Sequence, residues 1–277
     1  MMIELAGVTF RDTGRGWVFA DLIDWYTLTD SKSQDTPKPQ SHGSFKPGRD
    51  WRSSAAISFT AAYIGDSVAE CLAAAESFTA AGTGETATMQ VTDDIRTTSR
   101  EVSIRHVGVP DFFGYDHYEV RFAVDVLAWD PRRYSVGDAW LSTGPAQSGS
   151  GLVWPAVWPL VWPSSGSDGR LTLTNAGTGA YPPIYRLYGG FDSALITNVT
   201  TGQLIGFDHP VPDGSVVEIN TRTRQARIDN QSDVSRFLTW RQWWDVPASS
   251  SIVIQFDATA SVGTPHLEAL PRSAWIA

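Results

Sequence analysis

The chain has 277 residues, a hydrophobic fraction of 42% and a charged fraction of 18%, a composition typical of a folded protein with roughly two domains. Its formal net charge of −9 argues against a protein that grips nucleic acid, because phosphate binding needs clustered lysine and arginine. The single cysteine, Cys71, excludes an internal disulfide and any metal site built from several cysteines.

The first half of the chain, residues 1–140, is predicted to be a mostly β domain. Apolar residues alternate with polar ones in HYEVRFAVDVLAW, which places every second residue from Tyr118 to Val126 on one buried face. Residues 67–81 break this period: apolar residues recur at helical spacing from Val68 to Phe78, and Ser67 with Glu70 has the spacing of a capping box. We therefore predict one helix that ends at Gly82.

Residues 30–50, DSKSQDTPKPQSHGSFKPGRD, contain three prolines and two glycines and show no periodicity. Loops longer than about 12–15 residues without secondary structure are usually functional or disordered. Because this loop lies between two predicted strands, we expect it to leave the domain and to reach a neighbouring subunit.

A connector is predicted over residues 141–169, where Ser/Gly-rich stretches flank a threefold Val-Trp-Pro repeat. Each of Trp154, Trp158 and Trp162 is followed by a proline, so a helix is excluded and the segment is extended. In an extended chain the three indoles share one face, which is too much apolar surface to leave in water. We predict that they pack between the domains and fix the orientation of one domain on the other.

Residues 170–277 are predicted to form a second domain, an all-β sandwich. Short strands with Thr201-Gly202 as a hairpin turn are the signals for it. The predicted strands are LTLTN, PPIYRLYG, ALITNV, QLIGFD, SVVEIN, ARIDN and SIVIQFD.

Catalytic motifs are weak. IGDSVAE places Ser67 between a strand and a helix, as in GDS-type esterases, but none of the five histidines follows an aspartate by three residues, as the catalytic base of those enzymes would. Helix capping accounts for Ser67 fully. We expect no enzyme activity, no cofactor and no metal site. The chain shows no secretory signal and no long apolar run, so synthesis and folding in a cytoplasm and no membrane contact are expected.

Aromatic residues indicate a function more strongly than the catalytic motifs do. Trp240, Trp243 and Trp244 in TWRQWWDVP could form a flat platform on which sugars stack. The alternative is that these indoles pack in the core or at an interface, since indole buries a large apolar area and keeps one polar N–H.

Residues 171–275 resemble the C-terminal domain of siphophage distal tail proteins. The resemblance rests on LTLTNAGTGAYPPIYRLYG, ITNVTTGQLIGFD, VPDGSVVEINTRTRQARIDN, RFLTWRQWWDVPASSSIVIQF and PRSAW, in that order. The first half is similar in the same sense: DWYTLTD precedes the long loop, and the domain closes with LAWDPRRYS, whose Asp130-Pro131-x-x-Tyr134 is typical of the family.

This resemblance implies a structural virion protein with two β-sandwich domains. The N-terminal domain, related to tail-tube proteins and carrying one helix, would form a hexameric ring, and the C-terminal domain would be galectin-like. The loop at 30–50 would be the belt that wraps an adjacent subunit, with subunit contacts from Thr36, Pro37, Pro39, His42, Phe45 and Pro47.

The expected function is therefore a hub at the distal end of the tail of a long-tailed phage, assembled in the cytoplasm of the host bacterium. Implied partners are other copies of the chain, the tail tube protein, the tail-tip or tail-associated hub protein and, as a further candidate, the tape measure protein. DNA would pass the lumen without specific binding. The alternative function is a carbohydrate-binding module that contacts the host cell wall.

Overall fold

The computed structural model of the protein describes residues 1–45, 51–84, 86–108, 110–113, 118–146, 167–259 and 263–276. The fold is mainly β, with a single α-helix among these residues, as the sequence predicts. The chain forms two compact units: unit 1 is Met1–Val136 together with Trp275–Ala277, and unit 2 is Gly137–Ala274.

Unit 1 is built on one large sheet and one helix. Its elements are β1 (Met2–Leu5), β2 (Val8–Arg11), β3 (Gly16–Ile23), β4 (Thr36–Pro37), β5 (Ser44–Phe45), β6 (Ala55–Gly65), α1 (Val68–Ala81), β7 (Ala87–Thr92), β8 (Thr97–Val107), β9 (Asp111–Phe113), β10 (Tyr118–Ala128) and β11 (Arg133–Ser135). The sheet order is β11-β8-β7-β1-β2-β3-β6-β10-β9, and β8 also pairs with β10. This pairing joins the two layers of the expected sandwich, so the strands from β8 round to β10 close into a barrel.

The barrel core follows the predicted alternation along β10. Val120, Phe122, Val124 and Val126 are buried, and β10 pairs with β6 in an unbroken antiparallel register from Tyr118 to Ala128. Tyr118, predicted on the same buried face, is exposed because it is the first residue of the strand, where it pairs with the last residue of β6.

The helix α1 begins at a capped residue, as its sequence predicts. The Ser67 hydroxyl accepts the Glu70 N–H at 3.2 Å, while the Glu70 carboxylate accepts the N–H of Asp66 at 2.8 Å rather than that of Ser67. The buried face is narrower than predicted. Val68 and Leu72 are 53% and 42% exposed, because only the stripe of Cys71, Ala75 and Phe78 is turned to the core.

The Asp-Pro-x-x-Tyr sequence forms a small hydrogen-bonded cluster after β10. The Asp130 carboxylate accepts the backbone N–H and the Nε–H of Arg132 at 3.1 and 2.9 Å and the hydroxyl of Tyr134 at 2.7 Å. Burial alone would raise the pKa of Asp130, but the positive charge of Arg132 and these hydrogen bonds hold it below its ordinary value. The motif therefore fixes the backbone that leads into β11.

Arg100 of β8 connects this hydrogen-bonded cluster with the segment that precedes the long loop. Its guanidinium is buried and donates to the carbonyl oxygens of Trp25 and Pro131 at 2.9 and 2.7 Å. Burial and, to a smaller extent, the nearby positive charge of Arg133 together lower the pKa of Arg100 to about 10. At neutral pH the side chain is still charged and bridges two segments that are far apart in sequence.

We predict that Asp130→Asn destabilises unit 1 by about 2 kcal/mol at neutral pH, because the charged acceptor of three hydrogen bonds is lost. The pKa of Asp130 is lowered from its ordinary 3.8, so its stabilisation is present above that value and is lost as the pH falls through the lowered folded-state pKa. The difference between the variant and the natural protein should therefore shrink toward about pH 3. Thermal unfolding of both proteins from about pH 3 to about pH 7 tests this; a difference that does not change with pH would contradict it.

Unit 2 contains two antiparallel sheets. Its strands are β12 (Leu141–Thr143), β13 (Arg170–Asn175), β14 (Ile184–Tyr188), β15 (Phe191–Asn198), β16 (Gln203–Val211), β17 (Val216–Asn220), β18 (Gln225–Ile228), β19 (Ser232–Asp233), β20 (Leu238–Arg241), β21 (Ser250–Thr259) and β22 (His266–Leu270). The last strand of the chain, β23 (Ala274–Trp275), belongs to neither of these sheets. One sheet has the order β12-β22-β14-β17-β18-β19 and the other β13-β21-β15-β16-β20, and alternate residues of both are buried. The predicted hairpin turn lies between β15 and β16, where Gly202 has φ +77°.

Strand pairing places two stretches that lie near the predicted domain limits. The strand β12 pairs with β22, so the stretch 141–143, predicted as connector, lies inside unit 2. At the other end, β23 lies beside β11 in the sheet of unit 1, and Arg96 of unit 1 stacks over the ring of Trp275 at 4.7 Å. The chain thus returns to unit 1 after it has completed unit 2.

Candidate functional site

The long loop at 30–50 leaves unit 1 through a closed neck. Ser31 and Arg52 form an isolated antiparallel bridge, the Lys32 N–H donates to the Trp51 carbonyl at 2.7 Å, and the Ser53 N–H donates to the Asp30 carbonyl at 2.9 Å. Both ends of the excursion are therefore fixed to each other. This neck lets the segment between them project without disturbing the barrel.

Beyond the neck, the described part of the loop is a small β-hairpin. Thr36 pairs with Phe45 and Pro37 with Ser44, and the Lys38 N–H donates to the Gly43 carbonyl at 3.0 Å. The side chains are exposed throughout, including the large ring of Phe45 at 56%. The hairpin thus buries almost nothing against its own chain.

The residues predicted as subunit contacts mostly lie on this hairpin. Thr36, Pro37, Pro39, His42 and Phe45 are all exposed, and Pro47 lies outside the described residues. An ordered two-stranded hairpin is marginal by itself in water. Exposed prolines and an exposed phenylalanine on such a hairpin make a surface suited to contact with another protein, and the assignment of these residues to a subunit interface stays a prediction.

The three tryptophans predicted as a sugar platform have different environments. Trp244 is buried and its Nε1–H donates to the Tyr185 hydroxyl at 2.9 Å, so it cannot stack on a sugar. Burial also raises the pKa of Tyr185 well above its usual value, which keeps the hydroxyl neutral as an acceptor. Trp243 is half-buried, whereas Trp240 is 55% exposed. The three-indole platform is therefore not formed, and only Trp240 offers an open ring.

Trp154, Trp158 and Trp162 lie outside the described residues, so their packing between the domains remains a prediction.

Ser67, weighed above as an esterase nucleophile, has a structural role at the start of α1. Ser67 is the helix cap, with its hydroxyl engaged by the Glu70 N–H. No group of three or more His, Cys, Asp or Glu side chains in the described ranges could hold a metal ion. No helix in those ranges is long and apolar enough to cross a membrane.

A groove with a volume of about 430 Å³ lies on unit 2. Trp240 is one of its walls, and residues of β15, β16 and β21 line the rest. Besides Trp240, the sequence holds one further signal for this groove: Gly206 lies in the middle of QLIGFD, and a glycine inside a strand often marks the close approach of another group.

No protein-family model matches the sequence, and no curated protein is significantly similar to it. Solved structures are similar in fold. The SPP1 Dit protein, described as a paradigm of the hub adsorption apparatus in phages that infect Gram-positive bacteria, matches with a TM-score of 0.63 at 8% identity over 98% of both chains.

Chains of the phage P2 baseplate in its activated conformation match as well. The calcium form has a TM-score of 0.55 at 11% identity and the strontium form 0.54 at 12%, each over 97% of both chains. At such low identity the likeness establishes the fold, and the resemblance to siphophage distal tail proteins is confirmed at that level. The chain therefore has, over nearly its whole length, the fold of the SPP1 Dit hub protein.

Proposed function

We propose that the protein is a structural component of a phage tail that forms a ring at the distal end of the tail tube. The observation that carries this is the match to the SPP1 Dit fold over 98% of the chain, with both units included. In this role the ring joins the tail tube protein to the proteins of the tail tip or baseplate, without catalysing a reaction.

The hairpin on its closed neck supports a ring. A closed cyclic assembly uses a heterologous interface, in which one patch of a subunit meets a different patch of the next. The hairpin of β4 and β5 is exposed and leaves unit 1 at the Ser31–Arg52 bridge, which suits a belt that crosses to the next copy. We take six as the number of subunits, as the resemblance implies.

The proposal also covers location and partners. The ring would sit at the tail tip of the virion after assembly in the host cytoplasm. Its partners would be the tube protein on one side and the tail-tip or tail-associated hub protein on the other, with the tape measure protein as a further candidate. DNA would pass its lumen without specific binding, in keeping with the net charge of −9 per chain.

The mass and symmetry of the purified protein test the proposal. Light scattering after size-exclusion chromatography should give about six times the 30.2 kDa of one chain, and negative-stain micrographs should show rings with sixfold symmetry. Addition of the purified tube protein of the same phage should place these rings at tube ends. A protein that stays monomeric at every concentration, and in the presence of tubes, would refute the ring.

A further inference from the structure

The groove on unit 2 is a built surface in which side chains from neighbouring strands converge. The antiparallel register places Asp208 of β16 beside Ser193 of β15, and Ser193 beside Thr259 of β21. Two residues along, on the same face of the sheet, Gly206 pairs with Leu195 and Leu195 with Asp257. Two adjacent rows across three strands thus line the groove, one of them with a leucine as an apolar floor.

Trp240 forms the side wall because Gly206 leaves room for it. The register of β16 and β20 shifts at this point, and a Cβ at Gly206 would lie 2.9 Å from Cδ1 of Trp240 and 2.4 Å from Oγ1 of Thr239. The indole therefore rests against the bare backbone of β16. Trp240 nevertheless remains 55% exposed to solvent.

The polar groups beside the indole are hydrogen-bond acceptors and hydroxyls. The Asp257 carboxylate accepts the side-chain amide of Gln255 at 3.2 and 3.3 Å, which orients it. The Ser193 and Thr259 hydroxyls lie 2.6 Å apart, and Asp208 is exposed at the end of the same row. An open aromatic face thus stands next to two carboxylates and two hydroxyls.

We propose that this groove binds a neutral saccharide. The apolar C–H face of a pyranose ring can stack on Trp240 and lie over Leu195, while its hydroxyls donate to Asp257 and Asp208. The two carboxylates repel phosphate and uronate groups, so anionic wall polymers are disfavoured. This site adds a ligand to the proposed structural role and does not depend on it.

The experiment titrates the full-length protein by calorimetry with maltotetraose, cellotetraose and triacetylchitotriose as neutral probes and poly(glycerol phosphate) as the anionic probe. We expect at least one neutral probe to bind. Trp240→Ala and Asp257→Asn should each weaken that binding by about tenfold or more. Gly206→Ala should also weaken the binding, because the added Cβ displaces the indole of Trp240 without removing it.

Trp129→Ala is the matched control, because it removes an indole of similar exposure, 58%, from unit 1 and should leave the affinity unchanged. Unfolding curves of unit 2 establish that each variant is folded. The proposal is overturned if none of the neutral probes binds, if Trp240→Ala binds as tightly as the natural protein, or if poly(glycerol phosphate) binds more tightly than every neutral probe.

Discussion

Deletion of Thr36–Phe45, with a short Gly-Ser bridge in its place, should convert the proposed ring into monomers and leave both units folded. The neck at Ser31 and Arg52 closes the excursion below the deleted hairpin, so the barrel keeps its own contacts. The deleted side chains are exposed and contribute no core. The deletion should therefore remove contacts between subunits and no contacts within a subunit.

Light scattering gives the mass, and circular dichroism gives the unfolding temperature of the same samples. A pair of point variants refines the result: Phe45→Ser should weaken assembly, whereas Ile95→Ser, which removes an even more exposed apolar residue outside the hairpin, should not. Rings that persist after the deletion would show that the hairpin does not close them.

Phe78→Ala should lower the free energy of unfolding of unit 1 by about 3–5 kcal/mol, since it removes a large buried ring and leaves a cavity. The Phe78 ring lies in the core with its centroid 5.4 Å from that of Phe10, 5.6 Å from that of Trp17 and 5.8 Å from that of Phe122. It is the anchor of α1, which packs on β6 and β10. In this variant α1 loses its main packing contact with the barrel.

Differential scanning calorimetry should show the transition of unit 1 at a clearly lower temperature. Val68→Ala on the same helix is the control: Val68 is 53% exposed, so its removal should change stability by less than about 0.5 kcal/mol. Equal effects of the two substitutions would mean that α1 packs through a different face.

Local patterns in the sequence predict much of this fold. Alternation predicts the buried faces of β6, β10 and β21, and the Ser67 and Glu70 pair predicts where α1 begins. These features depend on neighbours within a few residues. The exposed Tyr118 and Val68 show the limit, because a periodic stripe does not reveal where the packed partner ends.

Features that depend on pairing between distant strands could not be predicted. The pairing of β8 with β10 that closes the barrel, and the two rows that line the groove, are set by register between strands far apart in sequence. The burial of Arg100 could not be predicted either. Arginine is usually a surface residue, and this one is buried because its guanidinium donates hydrogen bonds to two carbonyl oxygens from distant parts of the chain. Three tryptophans lie within five residues of one another, and their sequence does not distinguish them. The structure shows that Trp244 is buried and that Trp240 is exposed.

The return of the chain to unit 1 has a consequence for biosynthesis. Trp275 leaves the ribosome only after all of unit 2 has been made, yet it belongs to the sheet of unit 1. Unit 1 is therefore completed last, although most of it is translated first. A nascent chain that stops before Ala274 lacks this strand, so in the truncated product the sheet of unit 1 ends at β11.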